Sequence, residues 1–142
     1  MINRGVDKMK RMNLIVVFSQ DKTKLLMCER TKEPYKGQLN LVGGKIEKDD
    51  DNLNEAYREL QEETGITKDD IDLVYFMTCN YHTLNKGLEI YYGVLNKDVE
   101  LVEEVNKLVW VNEDDNFFDF TKYAGEGNLG HIIAEIKIEL SK

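Results

Sequence analysis

Glu59, Glu62 and Glu63 stand at i, i+3 and i+4 within the run Arg58-Glu59-Leu60-Gln61-Glu62-Glu63-Thr64-Gly65. On a helix these three carboxylates share one face, because residues three and four apart are neighbours. Like charges at that spacing repel. Glu62 and Glu63 also fall in the last turn, where the helix dipole disfavours anions. A cluster that local physics penalises twice calls for a cation among its oxygens, and a hard divalent metal bound by oxygen ligands meets that need. Acidic helix faces are often simply solvated, so the surrounding residues must decide between the two readings.

The elements that position this face can be read from spacing. Residues 13–19 and 24–30 are β-rich and flank the turn Asp21-Lys22-Thr23. Residues 31–38 hold Pro34, the single proline, and Gly37, and read as a loop. Residues 39–47 read as extended around Gly43-Gly44, a pair that lets the backbone approach a phosphate or metal closely, or simply makes a turn. A helix begins near Asn52, which has capping-box spacing to Glu55. Leu53, Ala56, Tyr57, Leu60 and Thr64 form its core stripe beside the stripe of Glu55, Glu59, Glu62 and Glu63. Gly65 is its stop. Residues 71–83 and 88–95 read as strands joined by Asn85-Lys86-Gly87, and 107–111 as a short strand ending in Trp110-Val111. Leu129, Ile132, Ile133, Ile136 and Leu140 give a second amphipathic helix over 128–141. The pattern alone supports a single-domain α+β fold.

Composition narrows the partners. The chain has 142 residues and a net charge of −8, which argues against binding duplex nucleic acid or an anionic membrane through a basic surface. The longest early apolar run, Leu14 to Phe18, is too short for a membrane span or a signal core. The first eleven residues read as a loose polar leader, with one domain over 12–142. Cys28 and Cys79 lack metal-type spacing and read as reduced thiols of a cytoplasmic protein.

Gly44, Asp50, Arg58-Glu59-Leu60, Glu62-Glu63 and Gly65-Ile66 together closely resemble the Nudix box, departing from it only where Asp50 replaces a glutamate. The approach Asn40-Leu41-Val42-Gly43-Gly44-Lys45-Ile46-Glu47 agrees, and the chain is identified as a small MutT-like member of the Nudix hydrolases. The resemblance implies an α/β/α sandwich with a mixed sheet between helices. It implies Mg2+, or Mn2+, held by Glu59, Glu62, Glu63 and the Gly44 carbonyl, with Arg58 orienting a carboxylate. It also implies a glutamate on a later loop as general base. Glu104, six residues before Trp110, is the candidate, with Glu103 and Glu100 as competitors. Asp50, one methylene short, is expected to support the site rather than bind metal.

For the substrate, Arg30 and Lys45 are candidate phosphate contacts, Arg as a fork and Lys as a point charge. Asn40 falls where related oxidised-purine triphosphatases read the base. Asn128 either reaches a base edge or caps the last helix. Tyr35, Tyr81 and Tyr123 are candidates for stacking on a base, and His82 and His131 read as loop and helix-surface residues.

The implied activity is hydrolysis of a nucleoside diphosphate linked to another group. The first expectation is a nucleoside triphosphate, including one with an oxidised purine, cleaved to monophosphate and pyrophosphate. ADP-ribose or a nucleotide sugar comes second, and a non-catalytic nucleotide-sensing module is the reading from another class. The protein would act as a monomer or homodimer.

Overall fold

A computed structural model of the chain describes residues 9–47 and 51–142. Six strands and two helices follow in the order β1 (Lys10–Phe18), β2 (Lys24–Glu29), β3 (Leu39–Leu41), α1 (Asn52–Thr64), β4 (Val74–Tyr81), β5 (Lys86–Val94), β6 (Leu108–Asn112) and α2 (Asn128–Leu140). Strand β1 begins at Lys10, so Lys10 and Arg11, expected in the leader, pair instead with Lys86 and Gly87 of β5. Residues 1–8 lie outside the described chain.

The sheet is mixed. β1 runs parallel to β5 along its whole length, and β5 runs antiparallel to β4. β1 and β2 share only the pair Phe18 and Leu25, next to the hairpin turn, and then part. The segment that follows β2 fills the gap. β3 pairs with β2 from Glu29 to Met27, and residues 42–46 then cross to β1. There Ile15 N–H donates to the Val42 carbonyl at 2.8 Å, and Ile46 N–H donates to the Arg11 carbonyl at 2.9 Å. Gly43-Gly44 therefore sits where β1 and β2 part, with Gly44 bonded to Asn13 of β1.

Alternation along the strands sends side chains to two cores. Leu14, Val16 and Phe18 face α2, where Leu129, Ile132, Ile133 and Ile136 pack on them. Ile15 and Val17 face α1, where Ala56 and Leu60 pack with Leu26 and Tyr91. The result is the α/β/α sandwich with a mixed sheet. Fully burying a side chain such as Leu60 contributes roughly 1.5–3 kcal/mol.

Helix α1 departs from its sequence pattern in three places. Asp51, not Asn52, is the N-cap, and its side chain accepts from Asn54 N–H at 3.1 Å. Asn52 is already helical, and Glu55 makes no capping box. Its carboxylate accepts from Glu47 N–H at 3.0 Å and from Arg58 instead. Leu53, placed on the core stripe, is 42% exposed, while Glu55 and Glu63 are buried. Gly65 ends the helix as expected, left-handed at φ 82°, its N–H donating to the Gln61 carbonyl at 2.9 Å. In the hairpin, the run expected as strand over 71–83 narrows to β4, and His82–Leu84 forms a 3-10 turn.

Candidate active site

The site grows from the glycine pair. Asn13, on β1, accepts Gly44 N–H on its side-chain oxygen at 2.9 Å, and its own N–H donates to the Gly44 carbonyl at 2.9 Å. Gly43 is at φ 146°, and a Cβ there would collide with the Asn13 carbonyl. A Cβ on Gly44 would collide with the Glu59 carboxylate. Gly43 thus lets β1 approach as only glycine allows, and Gly44 leaves the space that the Glu59 carboxylate fills.

Arg58 is the hub of the helix face. Its Nε donates to Glu55 at 2.8 Å, Nη1 to Glu62 at 2.7 Å and Nη2 to Glu59 at 3.1 Å, with Glu47 at 3.9 Å. Four carboxylates surround one guanidinium, which they hold more firmly protonated than usual, Glu55 foremost. The cation that the acidic spacing demanded is, in part, this arginine. Glu59 is half-buried, and burial raises its carboxyl above the ordinary range against the pull of Arg58.

Glu63 faces elsewhere. It is 9% exposed, with one carboxylate oxygen buried and unpartnered. Burial pushes its carboxyl up to about 7, while the Cys28 thiol and the Gly43 N–H pull it back. Burial and the Glu63 charge push the Cys28 thiol up to about 12, so it is a thiol and no nucleophile. Glu63 lines a cavity of about 240 Å³ together with Cys28, Arg30, Asn40 and Gly43. Lys32 and Asn106 reach the same cavity.

The three glutamates expected to share one cation therefore point two ways, Glu59 and Glu62 to Arg58 and Glu63 toward Cys28 and the cavity. Among the described residues no group of three His, Cys, Asp or Glu side chains is arranged to hold a metal ion. The reason is electrostatic: Arg58 draws Glu59 and Glu62 to itself, and Gly43 and Cys28 draw Glu63 beneath the turn. The donors nevertheless fit a hard divalent cation. They are all oxygens, Glu63 has an oxygen to spare, and Gly44 leaves room beside Glu59 where any side chain would intrude.

The other sequence candidates divide. Arg30 and Asn40 line the cavity. Arg30 Nε donates to the Pro34 carbonyl at 2.7 Å, and Asn40 accepts from Leu41 N–H at 2.8 Å. Lys45 is exposed, pairing with Met12 across an isolated bridge. Glu104 is exposed on the loop whose next two residues, Val105 and Asn106, line the cavity. That loop is tied to the end of α1 by Val102 N–H donating to the Thr64 carbonyl at 2.9 Å. Its neighbour Glu103 is occupied, accepting Leu108 N–H at 2.7 Å. Asn128 is exposed at the start of α2, and the helix cap is Gly127, left-handed at φ 92°, so Asn128 does not cap. Tyr123 is 1% exposed among core residues, which removes it as a stacking surface. His131 lies on α2 against Phe118, and His82 in the 3-10 turn. Cys28 and Cys79 are both free. Asp50 lies outside the described residues.

Sequence reasoning missed Asn13 and Glu89. Glu89 is 2% exposed on β5, paired with Arg11 and accepting from Asn52 Nδ2 at 3.1 Å. The signal for Asn13 and Glu89 was a polar residue set inside an apolar strand run. Glu47, in the approach to the box, and Glu55, on the acidic stripe, were in view, and the fold adds that both face Arg58.

The family model for the NUDIX domain matches residues 9–130. Similar solved structures include the Ap4A hydrolase of C. elegans in a binary complex, 18% identical over 92% of this chain and 98% of that one, with a TM-score of 0.71. A MutT structure, from Aliivibrio salmonicida or Vibrio cholerae, gives 18% identity over 92% of this chain and 98% of that one, with a TM-score of 0.64. The NUDIX domain of Shewanella oneidensis NrtR complexed with ADP ribose gives 17% over 92% and 87%, with a TM-score of 0.68. A search of curated protein sequences finds no match. With its box residues clustered about the glycine turn and the family model spanning the sheet and α1, the chain belongs to the Nudix family and is a hydrolase of pyrophosphate bonds.

Proposed function

We propose that the protein hydrolyses a nucleoside diphosphate linked to another moiety, with a nucleoside triphosphate as first substrate, releasing the monophosphate and pyrophosphate. An oxidised purine triphosphate belongs to the same expectation. The observation that carries this reading is the cavity beside the glycine turn. It joins the carboxylate of Glu63 to Arg30 and Lys32, cations suited to phosphate, and to Asn40, an amide suited to a base edge. A net charge of −8 repels a polyphosphate, so such local cations decide binding.

Glu59, Glu62, Glu63 and the Gly44 carbonyl would hold Mg2+ or Mn2+, which when bound supplies positive charge against the diphosphate oxygens. Arg58 keeps Glu59 and Glu62 oriented through charge-assisted hydrogen bonds. Glu104 takes the proton of the attacking water, from a loop fixed to the end of α1. Lys45 and Asn128 extend the substrate contacts beyond the cavity.

A second reading, an ADP-ribose or nucleotide-sugar hydrolase, is favoured by the structural likeness to a NUDIX domain complexed with ADP ribose. The intact Arg58 network and box glutamates argue against a purely nucleotide-sensing module. No helix among the described residues is long and apolar enough to cross a membrane. The two free cysteines support action in a reducing, cytoplasmic setting. The deciding experiment incubates the protein and Mg2+ with nucleoside triphosphates, 8-oxo-purine triphosphates, ADP-ribose and nucleotide sugars, and identifies the products. Turnover fastest on the triphosphates, with pyrophosphate released, supports the first reading. Preference for ADP-ribose replaces it with the second, and no turnover on any of them overturns both.

A further inference from the structure

Asn13 is fully buried, inside an otherwise apolar strand run from Asn13 to Phe18. It meets the glycine pair three times. Its side-chain oxygen accepts Gly44 N–H, its backbone N–H donates to the Gly44 carbonyl, and its own carbonyl closes on Gly43. The other wall of Gly44 is the Glu59 carboxylate. Gly44 is therefore clamped between β1 and α1, and Asn13 is the β1 jaw.

The chemistry of the side chain is specific to that task. Only its oxygen can accept an N–H, so the amide is oriented by Gly44, and its Nδ2 is left buried without a partner. An unpaired buried donor is unfavourable. A hydrophobe would avoid it but would leave the Gly44 N–H unpaired in turn. An aspartate would accept the same N–H with no donor left over. It would also add a charge beside Gly44, next to Glu59 and opposite Glu89, its register partner on β5. Asparagine is the neutral acceptor that fits among carboxylates. The Gly44 carbonyl, with two lone pairs, keeps one after accepting from Asn13 N–H.

We propose that Asn13 is a positioning residue of the hydrolytic site: its side-chain oxygen fixes the Gly44 peptide against Glu59 and so sets where the Gly44 carbonyl and Glu59 present oxygens to a divalent cation. This rests on the metal-dependent hydrolase reading above. Partners that orient ligands typically carry ~10–100-fold of metal affinity.

The test measures Mn2+ binding by calorimetry without substrate, and kcat and KM with Mg2+, for the wild type, Asn13→Leu and Asn13→Asp. Asn13→Leu, similar in size, should weaken Mn2+ binding about tenfold or more and lower kcat while KM changes little. Asn13→Asp restores the acceptor and should bind Mn2+ within a few fold of wild type. Should Asn13→Leu fail to fold, Asn13→Ala takes its place, and the contrast with Asn13→Asp decides. Wild-type Mn2+ affinity in a variant lacking the acceptor, whatever its Tm, overturns the proposal. So does an aspartate variant, folded, that binds as weakly as the leucine one. A wild-type protein that binds no Mn2+ and hydrolyses no phosphoanhydride instead overturns the parent reading.

Discussion

The two ends of one acidic helix face meet the same electrostatic problem in opposite ways. Around Arg58 the carboxylates of Glu47, Glu55, Glu59 and Glu62 gather on a guanidinium, with solvent close to Glu47 and Glu62. Glu63, among the described residues, has no cation in an ion pair with it; it is buried beside a thiol with one oxygen unpartnered. The first cluster offsets charge with charge, and the second responds by holding its proton to higher pH. The difference teaches which carboxylate is free to receive something. Glu62 and Glu59 must be drawn from Arg58, whereas Glu63 lacks only a ligand.

Replacing Glu63 breaks the comparison hardest. Glu63→Gln removes the charge but keeps the shape, and kcat should fall by about two orders of magnitude or more, as for loss of a strong electrostatic contribution. The variant should fold, with a Tm in chelator at or above that of the wild type. Wild-type turnover would show that the buried end of the face is not used. Glu104→Gln should follow, lowering kcat by ~10²–10³ with KM nearly unchanged, as for a general base. Its neighbour is the control. Glu103→Gln should lower Tm through the weakened acceptor for Leu108 N–H and leave kcat close to wild type. Equal kinetic losses in both would make the loop a solvated acidic segment.

The Arg58 end is expected to yield less in turnover and more in stability. Arg58→Met should lower stability by about 1–2 kcal/mol, a figure kept small because the side chain is about a third exposed. Mg2+ should recover part of that loss, since a second cation then serves the same carboxylates. A Tm that ignores both the substitution and Mg2+ would mean the network is ornamental to folding.

The pH dependence tests the buried end by itself. The Glu63 carboxyl lies near 7 in the folded chain against 4.5 as the ordinary value, so the folded state binds the extra proton between those limits. Stability in chelator should then be greatest at the acid end of that window and fall as pH rises through about 7. Glu63→Gln should flatten that slope, and Mg2+ should reverse it by rewarding the ionised form. Chemical denaturation at pH 5.5 and 8 with and without Mg2+ reads all three.

What the sequence disclosed was local. The helix face, its stop at Gly65, the α2 stripe and the hairpin are patterns within a few residues of one another, and each appears in the fold. Arg58 was legible because its partners lie three and four positions away. Asn13 was not, since its partner Gly44 is distant in sequence and only the crossing of 42–46 to β1 brings them together. The cap of α1 falls on Asp51, not Asn52, because both side chains can cap; the Asn52 Nδ2 donates to Glu89, which turns that side chain toward β5. The reading of Glu59, Glu62 and Glu63 as one metal-binding set came from charge and from the box together. The box also set Arg58 on a carboxylate; that it holds both Glu59 and Glu62 became visible only in the fold.

The parallel pairing of β1 with β5 has a consequence for how the chain is made. Lys10 pairs with Lys86, and the partnership runs in step to Phe18 and Val94. A nascent chain that has emerged as far as Gly65 already carries the whole acidic helix and the glycine turn, but β1 still lacks its longest neighbour. Closing so large a loop is slow, because its entropy is spent before the pairing rewards it. The residues of the acidic helix are therefore made before the wall they pack on is complete, and the site is finished only after β5 has docked and the Glu104 loop has followed it.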